Sequence, residues 1–181
     1  MATTRRRLLL AELEGKLDAI SRLTAVVDSS QGTVNFTQTK RMAEGAAERL
    51  RREHVAAAAM FSGVPDAERQ QNLRDLATGT LRALAAPKLL DEGIDVPSVD
   101  LGIVLAASRS RRQMVQRLGR VIRRKEDGRA VVFVIVYAPD TVEDPESGVH
   151  DGFFDLVGST ARATERLPPE WSGGDVQEAT S

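Results

Sequence analysis

The feature that most constrains this fold is an alternation along the chain between short apolar runs and segments with helical spacing. Apolar runs of strand length lie at 33–37, 55–61, 81–86, 99–107 and 130–137, and helical patterns lie at 8–23, 40–53, 66–76 and 110–122. The last apolar run, AVVFVIVY, is apolar on both faces, which is typical of a buried parallel strand. Strands that alternate with helices predict an α/β domain whose helices cover both sides of a mostly parallel sheet.

The amino-acid composition limits which classes of protein and which kinds of binding site are possible. A chain of 181 residues with 41% hydrophobic residues can bury the core of one domain. It has no cysteine and two histidines, His54 and His150, so disulfide frameworks and thiolate zinc sites are excluded and we expect no metal site. No apolar run approaches the roughly 18 residues of a membrane helix, and no secretory signal is recognisable. We therefore expect a cytoplasmic protein without a membrane partner.

The net charge of −1 hides an asymmetry along the chain. Between Arg109 and Lys125 there are eight Lys or Arg and no acid, whereas ten acids and two arginines follow from Pro139 to the end. A cation block this dense attracts phosphate groups, although a solvated helix face has the same composition. The acidic end is rich in Pro, Ser and Gly, which predicts a flexible tail over 161–181.

Within the basic block, the segment QRLGRVIRR has a spacing suited to phosphate. Arg120 and Arg123 are three residues apart, so they share one face of the predicted helix. Gln116 lies one turn earlier and its amide both donates and accepts hydrogen bonds. Gly119 leaves space for another surface to approach. Two guanidiniums on one face match a polyphosphate, and an arginine-rich surface helix is the alternative.

Four segments, in this order, resemble the second, C-terminal RecA-like domain of superfamily 2 helicases. VNFTQTK at 34–40 is similar to motif IV, and FSG at 61–63 with the following Glu68-Arg69 is similar to the family's hG…ER segment. DEGIDVP at 91–97 resembles motif V, and 116–123 resembles motif VI. The form of these last two motifs is closer to XPB-like DNA-repair helicases than to DEAD-box RNA helicases.

The resemblance covers about 17–137 and implies a three-layer RecA-like domain with a mostly parallel central sheet. We assign this domain to 25–160, preceded by a helical lead-in over 1–24 and followed by the acidic tail over 161–181. In such enzymes, ATP with Mg²⁺ is clamped between two RecA-like domains. By resemblance, Arg120 and Arg123 are arginine fingers that reach the γ-phosphate across this cleft. Also by resemblance, the nucleotide site is completed by Gln116, Gly93 and Asp95.

The resemblance further implies a path for a nucleic-acid backbone, with DNA favoured over RNA. Small hydroxyl and backbone N–H donors suit contact with phosphates irrespective of base sequence. The residues that match this path are Thr37, Gln38, Thr39, Ser62 and Gly63.

Two departures from the family pattern bear on function. Motif V usually begins with a polar pair such as Thr-Asp, whereas Ala86-Pro87 stands here, and proline removes a backbone donor. The 181 residues contain no G-x-x-x-x-G-K-[ST] loop. The resemblance therefore implies part of an ATP-dependent helicase that binds ATP and Mg²⁺ only with a Walker-bearing first domain, and that does not hydrolyse ATP alone.

Other interpretations stay open. One is a stand-alone nucleic-acid-binding or helicase-regulatory module without catalysis. Another is a nucleotide-binding protein with a site of its own, against which the missing phosphate loop argues. Single residues are interpreted structurally: His54 as a helix C-terminal cap, and Tyr137 and Trp171 as packing residues.

Overall fold

A computed structural model describes residues 14–87, 99–105, 131–141, 143–144, 163–168 and 170–179. Its helices are α1 Glu14–Arg22, α2 Thr24–Ser29, α3 Lys40–Arg52, α4 Asp66–Thr78 and α5 Gly173–Ala179. Its strands are β1 Thr33–Phe36, β2 Ala57–Ala59, β3 Ala83–Ala86, β4 Leu101–Val104 and β5 Val132–Ile135. The helix predicted over 110–122 lies outside the described residues. No helix within these ranges combines the length and apolar character needed to cross a membrane.

The five strands form one parallel sheet in the order β2-β3-β1-β4-β5. β1 is central, with Thr33 opposite Ala83 on one side and Leu101 on the other. Because all the strands run in the same direction, their carboxyl ends lie along one edge, where ligands bind in sheets of this kind. The predicted α/β fold with a parallel sheet is therefore confirmed.

Side chains that alternate along the strands build a hydrophobic core on each face of the sheet. The core beneath α1, α2 and α3 includes Ile20, Leu23, Met42, Ala46, Leu50 and Ile103. The core on the opposite face includes Val34, Phe36, Met60, Leu76, Leu84 and Val104. Leu76 belongs to α4, so helices cover both faces and the domain has three layers.

The C-terminal segment contains structure that its composition does not predict. Val176 of α5 is 4% exposed and packs in the core beneath α1–α3. The backbone of Gly173 lies so close to Arg22 that an added Cβ would stand 2.5 Å from the Arg22 carbonyl oxygen. The Arg22 guanidinium in turn lies 5.6 Å from the ring centroid of Trp171. The predicted flexible tail over 161–181 rests on Pro, Ser and Gly content, which carries no information about the apolar surface that Val176 contacts.

Candidate nucleic-acid interface

Two loops at the carboxyl edge of the sheet carry the predicted nucleic-acid contacts. One loop joins β1 to α3 and contains Thr37, Gln38 and Thr39, and the other joins β2 to α4 and contains Ser62 and Gly63. Both loops are anchored to β3, which lies between β1 and β2. The Thr37 amide donates to the carbonyl of Ala86 at 3.1 Å, and the Met60 amide donates to that of Ala85 at 2.8 Å. The strand between them therefore sets the position of both loops.

A direct side-chain contact joins the two loops. Nζ of Lys40, the first residue of α3, lies 4.3 Å from the centroid of the Phe61 ring. At this distance the ammonium is attracted to the negative face of the ring. The structure therefore brings together two segments that are separate in sequence and that were both predicted to contact one nucleic-acid backbone.

The five predicted contact residues differ in what their side chains do. The Thr39 hydroxyl accepts a hydrogen bond from the Met42 amide at 3.2 Å, so Thr39 is the N-cap of α3. Thr37 is buried, and its hydroxyl donates to the Thr39 carbonyl at 3.3 Å. Gln38, Ser62 and Gly63 are exposed. Thr37 and Thr39 thus shape the turn, whereas the other three residues are accessible to a ligand.

The first turn of α3 has an unusual charge. Lys40 and Arg41 are exposed there and the turn contains no acid, whereas the first turn of α4 contains Asp66 and Glu68. A helix N-terminus carries partial positive charge, which acidic side chains normally compensate. Two cations at this end instead add to the positive potential and attract anions. The charge at this part of the edge suits phosphate.

The remaining predicted site residues cannot be placed in this geometry. Gly93, Asp95, Gln116, Arg120 and Arg123 lie outside the described residues, so their roles stay predictions. Among the residues that the structure does describe, no group of three or more His, Asp or Glu side chains is arranged to hold a metal ion.

Sequence patterns alone assign no function to Lys40 or to Phe61, although both stand at the ends of family-like segments. One signal was present in the sequence: two cations at the start of a helix, where acids are the usual choice. Their contact could not be found in this way, because it depends on β3 lying between β1 and β2.

Comparison with known proteins shows the family of the chain. Residues 15–125 match the family described as Helicase conserved C-terminal domain. UvrABC system protein B of Symbiobacterium thermophilum is 33% identical over 144 residues, which cover 76% of this chain and 21% of that protein. The same protein of Streptococcus pneumoniae strain Hungary19A-6 is 35% identical over 130 residues, which cover 69% of this chain and 19% of that protein. The chain thus spans about a fifth of the length of these curated relatives.

Solved structures share the fold. The C-terminal domain of S. cerevisiae Dbp5 aligns with a TM-score of 0.65 at 20% identity, over 90% of this chain and 88% of that chain. The Mycobacterium smegmatis helicase Lhr, solved with ssDNA and AMP-PNP, aligns with a TM-score of 0.55 at 30% identity. The alignment covers 65% of this chain and 16% of that chain. With its parallel sheet and the match over 15–125, this chain belongs to the Helicase conserved C-terminal domain family and contains the C-terminal RecA-like domain of a superfamily 2 helicase.

Proposed function

We propose that this chain supplies the second motor domain of an ATP-dependent DNA helicase or translocase. Arg120 and Arg123 reach the γ-phosphate of ATP, which is held with Mg²⁺ by a Walker-bearing first domain that lies outside these 181 residues. The nucleotide site is completed by Gln116, Gly93 and Asp95. The observation that carries the proposal is the family match over 15–125 on a sheet whose carboxyl edge gathers two of the matching segments.

In the same proposal, the loops after β1 and β2 bind the backbone of a single nucleic-acid strand. Support comes from the exposure of Gln38, Ser62 and Gly63 and from the cationic first turn of α3. DNA is favoured over RNA because Lhr, solved with ssDNA, is 30% identical, whereas Dbp5, solved with RNA, is 20% identical. The predicted cytoplasmic location is consistent with this function and stays a prediction.

ATP hydrolysis tests the motor assignment. The purified chain is assayed alone and mixed with a Walker-bearing first helicase domain from the same organism, each with and without single-stranded DNA. We expect no hydrolysis by the chain alone and DNA-stimulated hydrolysis by the mixture. In the mixture, we expect Arg120→Ala and Arg123→Ala each to reduce the rate of ATP hydrolysis by a factor of up to about 10³–10⁵. The reason is that the charge that develops on the transferred phosphoryl group loses its counter-charge.

The other outcomes identify which part of the proposal is wrong. Wild-type rates in both arginine variants overturn the arginine-finger assignment. DNA-stimulated hydrolysis by the chain alone overturns the requirement for a first domain. DNA binding without hydrolysis in any mixture favours the stand-alone binding or regulatory module over the motor domain.

A further inference from the structure

We propose that the Phe61 ring positions the Lys40 ammonium to contact a phosphate of the nucleic-acid backbone, so that the two carboxyl-edge loops bind the strand as one unit. The inference rests on the proposed nucleic-acid function and adds two residues to it. Lys40 is the contact residue, and Phe61 is a positioning residue that acts through Lys40.

The Phe61 ring has two neighbours here. The Lys40 Nζ lies 4.3 Å from the ring centroid. Ring atom Cε2 stands 3.5 Å from the position that a Cβ on Gly63 would occupy, so the ring lies beside the backbone of its own turn. A lysine side chain ordinarily loses much rotamer freedom when it is held in one place. The ring contact restricts this freedom before a ligand arrives.

The ammonium remains accessible while the ring holds it. The Lys40 side chain is 59% exposed, and its Nζ lies 3.7 Å from the Glu44 carboxylate one turn further along α3. Exposed ion pairs of this kind are weak, so a phosphate can replace Glu44 as the counter-charge. The contact with Phe61 does not compete with this exchange, because the ring attracts the cation through its face rather than through an anionic group.

The same geometry indicates which part of the nucleic acid is bound. A ring face occupied by an ammonium is not free to stack on a base, so Phe61 is not a stacking platform on that face. Lysine presents a compact point charge and lacks the forked donors with which arginine makes paired hydrogen bonds to one partner. The pair therefore contacts phosphate, irrespective of base sequence.

The test measures binding of the full chain to a fluorescein-labelled single-stranded oligothymidylate by fluorescence anisotropy over a salt series. Each phosphate contact contributes about 0.7 to the slope of log affinity against log salt for a single strand. We expect Lys40→Gln to reduce the slope by about this amount and Lys40→Arg to retain it. The matched control is Arg52→Gln, which removes an exposed cation at the opposite end of α3 and leaves the slope unchanged.

The role of Phe61 is tested in two backgrounds. We expect Phe61→Leu to weaken binding by roughly threefold in the wild type, and to have no effect in Lys40→Gln, because the ring acts through the lysine. Phe61→Tyr retains the ring face and rescues affinity. Circular dichroism checks that each variant is folded. An equal loss in both backgrounds shows a merely structural ring and overturns the positioning role.

The outcomes separate this inference from the proposed function. Salt-dependent binding by the wild type that Lys40→Gln leaves unaltered overturns the inference alone. The absence of salt-dependent binding by the wild type overturns both the inference and the nucleic-acid function on which it rests.

Discussion

The ammonium of Lys16 lies 2.6 Å from Oε2 of Glu143, and both side chains are almost completely buried. The same ammonium donates a hydrogen bond to Oε1 at 2.8 Å. Lys16 belongs to α1, and Glu143 follows the carboxyl end of β5. The ion pair therefore fixes the first described helix to the loop beyond the last strand of the sheet.

Breaking this ion pair on one side should be costly. Glu143→Leu leaves the Lys16 ammonium buried without its counter-charge, and we expect the free energy of unfolding to fall by about 3–5 kcal/mol. The double variant Lys16→Met/Glu143→Leu replaces both charges with apolar groups and should recover most of this loss. Urea denaturation followed by circular dichroism measures both values. A single variant as stable as the wild type contradicts the expectation.

The same lysine should make stability depend on alkaline pH. Burial lowers the pKa of Lys16 below its ordinary value of 10.5, while the hydrogen bond and charge of Glu143 oppose the shift. Between the lowered folded pKa and 10.5, the unfolded chain binds more protons than the folded chain. The free energy of unfolding therefore rises with pH across this window. Denaturation midpoints measured through the window should show a steeper rise for the wild type than for Lys16→Met/Glu143→Leu.

The ends of α3 and α4 predict opposite effects of two substitutions. His54 follows α3 with a φ of 64°, and Gly79 follows α4 with a φ of 77°. A left-handed conformation costs a residue with a Cβ about 1–2 kcal/mol, which glycine avoids. We expect His54→Gly to stabilise the domain by up to about 1 kcal/mol, after the greater chain entropy of glycine is subtracted. We expect Gly79→Ala to destabilise it by about 1 kcal/mol.

Thermal unfolding measures the stability of both variants, and each variant is a control for the other. A Cβ at Gly79 would meet no atom within 4 Å, so a loss of stability there reports backbone conformation alone. At His54 the amide donates to the Arg51 carbonyl at 3.0 Å, and this bond is retained by glycine. Destabilisation by His54→Gly would show that the imidazole makes contacts worth more than the backbone strain.

Asn35 on the central strand is the basis of a further prediction. Its side chain is fully buried between Ala85 and Ile103, and neither amide atom has a hydrogen-bond partner in the part of the chain that the structure describes. A buried polar group without a partner costs about 1–3 kcal/mol. Asn35→Val should therefore raise the free energy of unfolding by about this amount in urea denaturation. A lower value would show that the amide is satisfied in solution.

Local sequence patterns determined the secondary structure and the class of fold. The run over 33–37 became β1 at Thr33–Phe36, and the run over 130–137 contains β5 at Val132–Ile135. The run over 55–61 became only the three-residue strand Ala57–Ala59, which stands at the edge of the sheet beside β3. Periodicity and β propensity are properties of neighbouring residues, so the sequence alone predicts them. The order of the family-like motifs also predicted the helicase domain that the match over 15–125 shows.

Tertiary structure alone decided which distant residues meet. Lys40 reaches Phe61 because β3 lies between β1 and β2, and this strand order is not a local property of any segment. For the same reason, the pairing of Lys16 with Glu143 and the burial of Val176 could not be predicted from composition or spacing. Such contacts join residues far apart in the chain. Their energies depend on the packing of the whole domain, which local patterns do not specify.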